Sequence, residues 1–145
     1  MELRGKIGFL HLGFLMALSG CGSLEGLESA STSCGQGTAV IGVADGQVAR
    51  LCGCNEAGGQ WVTNNANLVC TVPSGTTVVF QYLAVASSHQ IVSAPASVKT
   101  FAPSTVFSPK SEPVVRAYAV KLIESGTYAF TDRFDSTLAA QIVVH

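Results

Sequence analysis

The chain has 145 residues, of which 48% are hydrophobic and 12% are charged. Eight Lys and Arg residues stand against nine Asp and Glu residues, so no surplus of positive charge is available to hold nucleic acid phosphates. After removal of a leader, the length suits one small domain with a single two-layer core. Short β-branched segments alternate with Gly, Pro, Ser and Asn clusters, a composition typical of a β-sandwich or barrel.

Residues 1–20 have the features of a bacterial signal peptide. Arg4 and Lys6 provide a positive start, and the apolar segment that follows is too short to span a bilayer. This segment ends in Leu18-Ser-Gly-Cys21, which resembles the lipobox of bacterial lipoproteins. The resemblance predicts cleavage before Cys21, attachment of lipid to its thiol, and a membrane that the protein contacts through this anchor.

An alternative interpretation of the leader is a core helix that ends in an ordinary cysteine, but its position at the N-terminus behind a basic start favours a signal peptide. Gly22 stands where the enterobacterial sorting system uses Asp to retain lipoproteins at the inner membrane. The resemblance therefore implies the outer membrane. Residues 21–33, rich in Ser, Gly and Glu, are predicted to form a flexible lipidated tether, which leaves residues 34–145 as the folded domain.

Four cysteines follow the tether, namely Cys34, Cys52, Cys54 and Cys70. An even number in a small exported domain predicts two disulfides. A bridge between Cys52 and Cys54 would be strained because one residue separates them, so we expect one to pair with Cys34 and the other with Cys70. The alternative is a copper(I) site on the thiolates of Cys52 and Cys54, which an oxidising compartment disfavours.

The sequence contains nine strand candidates, at residues 38–43, 47–51, 60–63, 67–72, 76–84, 89–93, 114–121, 126–131 and 139–144. Short strands at this spacing predict an antiparallel sandwich with Greek-key connections. Pro73-Ser-Gly75 predicts a turn between two of the strands. Tyr128 is a candidate corner tyrosine whose hydroxyl bonds a nearby carbonyl.

The second half of the chain resembles the cupredoxins, small copper-binding sandwiches related to plastocyanin and azurin. Residues 72–80, Val-Pro-Ser-Gly-Thr-Thr-Val-Val-Phe, are similar to the segment before the first copper histidine of that family, and His89 follows at a matching distance. Residues 124–130, Glu-Ser-Gly-Thr-Tyr-Ala-Phe, resemble the strand before the ligand loop, and residues 140–144 resemble the closing strand. The resemblance implies an all-β, cupredoxin-like Greek-key β-sandwich.

The chain departs from this family at the copper ligands. The resemblance puts the ligand cysteine at Asp132 and the second histidine at Asp135, and the methionine position falls at Leu138 or Ala139. Of the four ligands only His89 matches. A blue copper site needs a thiolate, so we expect none to form.

His89, Asp132 and Asp135 are nevertheless candidate ligands of another metal site, because one imidazole with two carboxylates resembles a facial triad. Copper is the candidate cofactor. The alternative is a turn whose carboxylates accept backbone N–H bonds and pair with Arg133. His145 is predicted to lie far from these residues, because the last strand carries it away from them.

No nucleophile elbow, P-loop or paired zinc-type spacing appears in the sequence, so we expect a protein that is not an enzyme. The first hypothesis is a cell-envelope lipoprotein whose cupredoxin-like domain lacks the type 1 copper cysteine and has a binding or structural role. The second is a copper-binding or electron-transfer protein with altered ligands around His89. The third is an immunoglobulin-like adhesion or scaffold module.

Overall fold

The structure is a computed structural model that describes residues 34–63, 68–83, 85–110 and 116–145. The predicted signal peptide, the tether and the Cys21 lipidation site lie outside the described residues. Within the described part of the chain, no helix is long and apolar enough to cross a membrane. Its nine strands are β1 (Thr38–Ala44), β2 (Gln47–Cys52), β3 (Trp61–Thr63), β4 (Leu68–Val72), β5 (Thr76–Tyr82), β6 (Ile91–Ser93), β7 (Ala117–Leu122), β8 (Gly126–Asp132) and β9 (Ala139–Val144).

The strands form two sheets, one in the order β3-β2-β1-β5-β7 and the other in the order β4-β9-β8-β6. Most neighbouring strands are antiparallel, but β1 pairs with β5, and β4 with β9, in parallel. The prediction of an antiparallel sandwich is wrong for these two pairs. Between β1 and β5 the chain crosses to the other sheet as β4 and returns, so β5 re-enters the first sheet in the direction of β1.

The core lies between the two sheets, where alternate residues of each strand point inward. In β5, buried residues alternate with partly buried ones along the whole strand. Phe80 of β5 meets Phe130 of β8 edge to face, with ring centroids 5.0 Å apart. Phe80 also stacks on Tyr118 of β7, with ring centroids 6.1 Å apart. The contact with Phe130 joins the two sheets, and the contact with Tyr118 packs two neighbouring strands of one sheet.

Strand β1 differs from the others because five consecutive residues of it are buried. Its outer face is covered at Gly42, where an added Cβ would lie 2.9 Å from the Trp61 ring and 3.3 Å from Leu51. Because Gly42 has no side chain, the Trp61 ring can lie directly against the backbone of β1. The single tryptophan caps the edge of the sheet and is 37% exposed.

Two disulfides join Cys34 to Cys52 and Cys54 to Cys70, which confirms the predicted outward pairing and settles the connectivity. The bridges span 18 and 16 residues, and each stabilises the fold by about 3 kcal/mol in the chain-entropy model. Gly53, between them, has a φ of 79°, and a Cβ there would lie 2.1 Å from the Thr38 carbonyl oxygen. Only glycine fits this close approach of two backbone segments.

The predicted turn and the predicted corner tyrosine are also confirmed. Gly75 has a φ of 85°, and the Thr76 N–H donates to the Pro73 carbonyl at 3.2 Å, which closes the predicted turn. The Tyr128 hydroxyl donates to the Glu124 carbonyl at 2.9 Å, as a corner tyrosine should. The sixth strand begins later than predicted, at Ile91, since the backbone before it forms only an isolated bridge.

The sandwich has two opposite ends. The Ser74 N–H donates to the His145 carbonyl at 2.8 Å, so His145 lies at the end where β5 begins. The other end, which we call the His89 pole, contains the β1–β2 turn, residues 85–90 and the β8–β9 loop. His145 is thus far from His89, as the sequence predicts.

Candidate functional site

A turn, a strand end and a loop supply the polar side chains of the His89 pole. Asp45 and Gly46 form the two-residue turn between β1 and β2, and the φ of 68° at Gly46 is typical of tight hairpin turns. Asp132 is the last residue of β8, where the alternation of the strand points its side chain inward. His89 lies between them, held by two backbone hydrogen bonds with Phe107, of 3.1 and 2.8 Å.

His89 is hydrogen-bonded to a carboxylate through each ring nitrogen. Its Nδ1 lies 2.6 Å from Oδ2 of Asp132, and its Nε2 lies 2.9 Å from Oδ1 of Asp45. His89 and Asp132 are each only 1% exposed, whereas the Asp45 side chain is 39% exposed. An ionised carboxylate only accepts hydrogen bonds, so when both carboxylates are ionised both ring nitrogens donate and the ring is an imidazolium.

Backbone N–H groups donate further hydrogen bonds to the carboxylates of Asp132 and Asp45. Oδ1 of Asp132 accepts from Phe134 N at 2.8 Å and from Gln90 N at 3.3 Å. Asp45 accepts from Ala86 N at 2.8 Å and from Ser87 N at 3.2 Å. Each carboxylate therefore ties its own strand end or turn to a neighbouring segment, in addition to bonding His89.

These contacts shift the pKa values of His89 and Asp45. Burial opposes the charged form of His89, but its hydrogen bonds to the carboxylates of Asp132 and Asp45 outweigh burial and raise its pKa. The Ala86 N–H is the main cause that lowers the pKa of Asp45 to about 2. Both shifts favour the charged pair, an imidazolium at His89 beside a carboxylate at Asp45.

Aromatic rings enclose the His89 side chain. Tyr82 stacks on His89 with ring centroids 6.1 Å apart, and Phe107 lies 6.4 Å away at a tilted angle. Tyr82 and Phe107 also stack on each other, with centroids 4.9 Å apart. The Tyr82 hydroxyl and Ser104 Oγ share a hydrogen bond of 3.2 Å. Burial raises the pKa of the Tyr82 hydroxyl. The rings keep water from the Asp132 side of the site, which strengthens its charged hydrogen bonds.

The donor set does not fit a type 1 copper centre. Neither nitrogen of His89 has a free lone pair while both bond to carboxylates, and Asp132 offers only oxygen. All four cysteines of the domain are in disulfides, so none supplies a thiolate. In the described ranges, no group of three or more His, Cys, Asp or Glu side chains is arranged to hold a metal ion.

The predicted ligand trio is brought together only in part. Asp135 does not bond His89; its Oδ1 accepts from Thr137 N at 3.1 Å, which closes a small turn. Arg133 bonds Gln90 at 3.3 Å rather than a carboxylate. The loop therefore matches the alternative prediction, a turn whose carboxylates accept backbone N–H bonds. The predicted pairing of these carboxylates with Arg133 is wrong.

A cleft of about 290 Å³ opens beside the exposed side of the site. Its lining is formed by Asp45, Ser87, Ser88, His89, Phe134 and Asp135. Sequence reasoning missed Asp45. The signal that was available is the Asp-Gly pair between two β-branched segments, which predicts a hairpin turn, but only the sheet order brings this turn beside His89.

Comparisons with known proteins identify the fold. No protein-family model and no curated protein matches the chain. Two structures of oxidised amicyanin variants match with 16% and 15% sequence identity, each with a TM-score of 0.51, covering 79% of this chain and 89% of amicyanin. The purple cupredoxin from Nitrosopumilus maritimus matches with 19% identity and a TM-score of 0.44, over 53% of this chain and 77% of its own length.

The amicyanin matches confirm the predicted fold class, a cupredoxin-like β-sandwich. They give no support to the immunoglobulin-like alternative. At this level of identity the likeness is one of fold, and the function must be argued from the His89 pole itself.

Proposed function

We propose that this chain is a non-enzymatic lipoprotein of the bacterial cell envelope, whose cupredoxin-like domain carries a hydrogen-bonded Asp45–His89–Asp132 triad instead of a type 1 copper centre. The observation that carries the proposal is the bonding of both His89 nitrogens to carboxylates, at 2.6 and 2.9 Å. A metal can bind this ring only after one of these bonds breaks and a proton leaves.

The triad has a structural role in this proposal. It joins the β1–β2 turn, the segment before β6 and the end of β8, all of which lie at one pole. Because its members are tied to the backbone as well as to one another, it holds the cleft beside Asp45 in one shape. A rigid cleft with two carboxylates and the exposed Phe134 suits the binding of another molecule better than electron transfer.

The envelope location is proposed from the leader and from the disulfides. The basic start, the apolar segment and Cys21 together suit an exported lipoprotein. Two disulfides in a domain of this size suit an oxidising compartment outside the cytoplasm. Gly22 favours the outer membrane, so the domain would face the periplasm or the cell surface at the end of its tether.

A copper-binding or electron-transfer role around His89 is the second candidate, and the cupredoxin-like fold favours it. It requires the Nε2 proton to leave and the contact with Asp45 to open. The ligands then available in the cleft are His89 and carboxylate oxygens, which would give a weakly coloured nitrogen- and oxygen-ligated site.

Addition of copper(II) to the purified full-length protein in detergent tests the proposal, with optical and paramagnetic spectra as the measurement. We expect no intense copper–thiolate absorption and no copper retained after desalting. The matched control restores the family ligands through Asp132→Cys, Asp135→His and Leu138→Met, and it should turn blue because the fold then supplies a thiolate. Copper retained at one equivalent by the wild type would favour the second candidate.

A further inference from the structure

The two sheets have four edges, and most of these are closed by other parts of the chain. At β4, the Val69 carbonyl accepts from Arg50 Nη1 at 2.8 Å. The Thr71 N–H donates to Glu56 Oε2 at 2.8 Å, and the Thr71 carbonyl accepts from Asn55 N at 2.9 Å. Arg50 of β2 and the β2–β3 loop therefore satisfy outward backbone groups of β4, as proteins do to prevent edge pairing.

The edge at β6 is covered in a similar way. The Ile91 carbonyl accepts from Ser104 N at 2.9 Å, and the Ile91 N–H donates to Ser104 Oγ at 3.0 Å. The Phe101 N–H donates to Ser93 Oγ at 2.9 Å. The third edge, at β3, is only three residues long. Among the described residues, none of these three edges has a long row of unpaired groups.

The fourth edge, at β7, is open within the described part of the chain. Tyr118 pairs with Phe80 of β5, and Arg116 accepts a hydrogen bond from Tyr82 N, so these alternate residues face β5. Antiparallel pairing then turns the N–H and C=O groups of Ala117, Ala119 and Lys121 away from β5. In the parts of the chain that the structure describes, no backbone partner is recorded for these groups.

A groove of about 580 Å³ runs beside this edge, with both apolar side chains and the Lys99–Glu124 ion pair in its lining. Its apolar lining includes Val98, Phe101, Val120, Leu122, Ile123 and Tyr128. Val98 is 90% exposed and Ile123 is 67% exposed, so two of the most exposed large hydrophobic residues border the same groove. Such grouping of exposed apolar side chains is typical of interaction sites.

We propose that the β7 edge docks an extended peptide segment of a partner protein, which adds to the sheet as a further strand. A row of alternating backbone donors and acceptors is matched by another polypeptide strand and not by a lipid or a sugar. Alternate apolar side chains of the added strand enter the groove beside β7. Lys121, exposed on the edge strand, favours an acidic residue in the partner.

A second copy of this chain fits the groove less well than a separate peptide. If two β7 strands paired, the inward side chains would be Tyr118 and Val120 of each copy, and both already pack against their own core. The groove would then stay empty. The proposal is independent of the His89 pole, because β7 and its groove share no residue with the triad or its cleft.

The test uses the full-length protein and a short dye-labelled peptide of alternating Val and Thr with one Glu, measured by fluorescence anisotropy. The control peptide has the same sequence with alternate backbone nitrogens methylated, which removes the donors along one edge. Ala119→Pro removes one outward N–H without touching the pairing with β5, and Ala119→Thr keeps that N–H. We expect binding by the wild type and Ala119→Thr, and at least about tenfold weaker binding by Ala119→Pro.

Three results would overturn the proposal: no binding by the wild type, equal binding by Ala119→Pro, or equal binding of the methylated peptide. Far-ultraviolet circular dichroism checks that Ala119→Pro folds. If it does not, Ile123→Asp takes its place, because this exposed side chain can be charged without disturbing the core, and it should also weaken binding. Light scattering that finds a wild-type dimer and a monomeric Ala119→Pro would show that the edge binds a second copy instead.

Discussion

Replacement of Asp132 by alanine removes the centre of the hydrogen-bond network at the His89 pole. The carboxylate accepts from His89 Nδ1, Gln90 N and Phe134 N, at 2.6, 3.3 and 2.8 Å. Asp132 is 1% exposed, so water does not reach the first of these donors readily when the carboxylate is gone. The variant leaves His89 buried and bonded to Asp45 alone.

The magnitude follows from the burial of the pair. Removal of one partner from a buried ion pair destabilises a protein by about 3–5 kcal/mol. Loss of the positive charge on His89 offsets part of this effect, because a neutral ring costs less to bury. We therefore expect Asp132→Ala to lower the free energy of unfolding by about 3 kcal/mol, against a total of about 5–15 kcal/mol for a domain.

Urea denaturation at neutral pH, with the disulfides intact, measures the difference. Asp135→Ala is the matched control, since this carboxylate follows Asp132 closely but, among the described residues, bonds Thr137 alone, and the change should lower stability by about 0.5–1.5 kcal/mol. A loss below about 1 kcal/mol for Asp132→Ala, or equal losses for the two variants, would refute the buried network.

Further predictions concern the backbone, the ring and the anchor. Gly53→Ala should prevent stable folding, because its Cβ would lie 2.1 Å from the Thr38 carbonyl oxygen. Gly37 has a similar φ of 73° but open space around it, so Gly37→Ala should lower the melting temperature only moderately. Protonated His89 should contribute its full stability below the unfolded-state pKa of about 6.5. This contribution should fall as pH rises through the raised folded-state pKa. Denaturation of wild type and His89→Gln at several pH values measures the difference. Radiolabelled fatty acid should enter the wild type in bacteria and not Cys21→Ser. Alkylation and mass spectrometry of the native domain should find no free thiol.

Each of these predictions has an outcome that contradicts it. Equal melting temperatures for the two glycine variants would argue against the close approach at Thr38. A difference that grows as pH rises would mean that His89 is buried in the neutral form. Equal lipid labelling of wild type and Cys21→Ser would exclude the lipobox, and four reactive thiols would revive the thiolate metal site.

The sequence predicts the strands well because their signals are local. Alternation along β5 and β8, the Pro73-Ser-Gly75 turn and the Tyr128 corner each depend on residues close together in the chain. The disulfide partners were limited to two arrangements by the single residue between Cys52 and Cys54. The parallel pairs could not be predicted, since they depend on how the chain crosses between the sheets.

The candidate site was predictable only where the family resemblance reaches it. The resemblance picked out His89 and Asp132, which the structure joins. Asp45 lies 44 residues before His89, outside the segment that resembles the cupredoxins, and its role depends on the position of the β1–β2 turn in the folded sheet. Its contact with His89 is a property of the fold and not of any local pattern.

The central claim is that His89 is an imidazolium held by two carboxylates, and nitrogen-15 NMR of the histidine ring tests it most directly. In uniformly labelled protein at neutral pH, Asp45→Asn and Asp132→Asn assign the two ring signals. We predict that both ring nitrogens of His89 carry a proton, and that added copper(II) leaves these signals unchanged. A neutral ring with one unprotonated nitrogen, or selective broadening of the His89 signals by copper(II), would contradict the account.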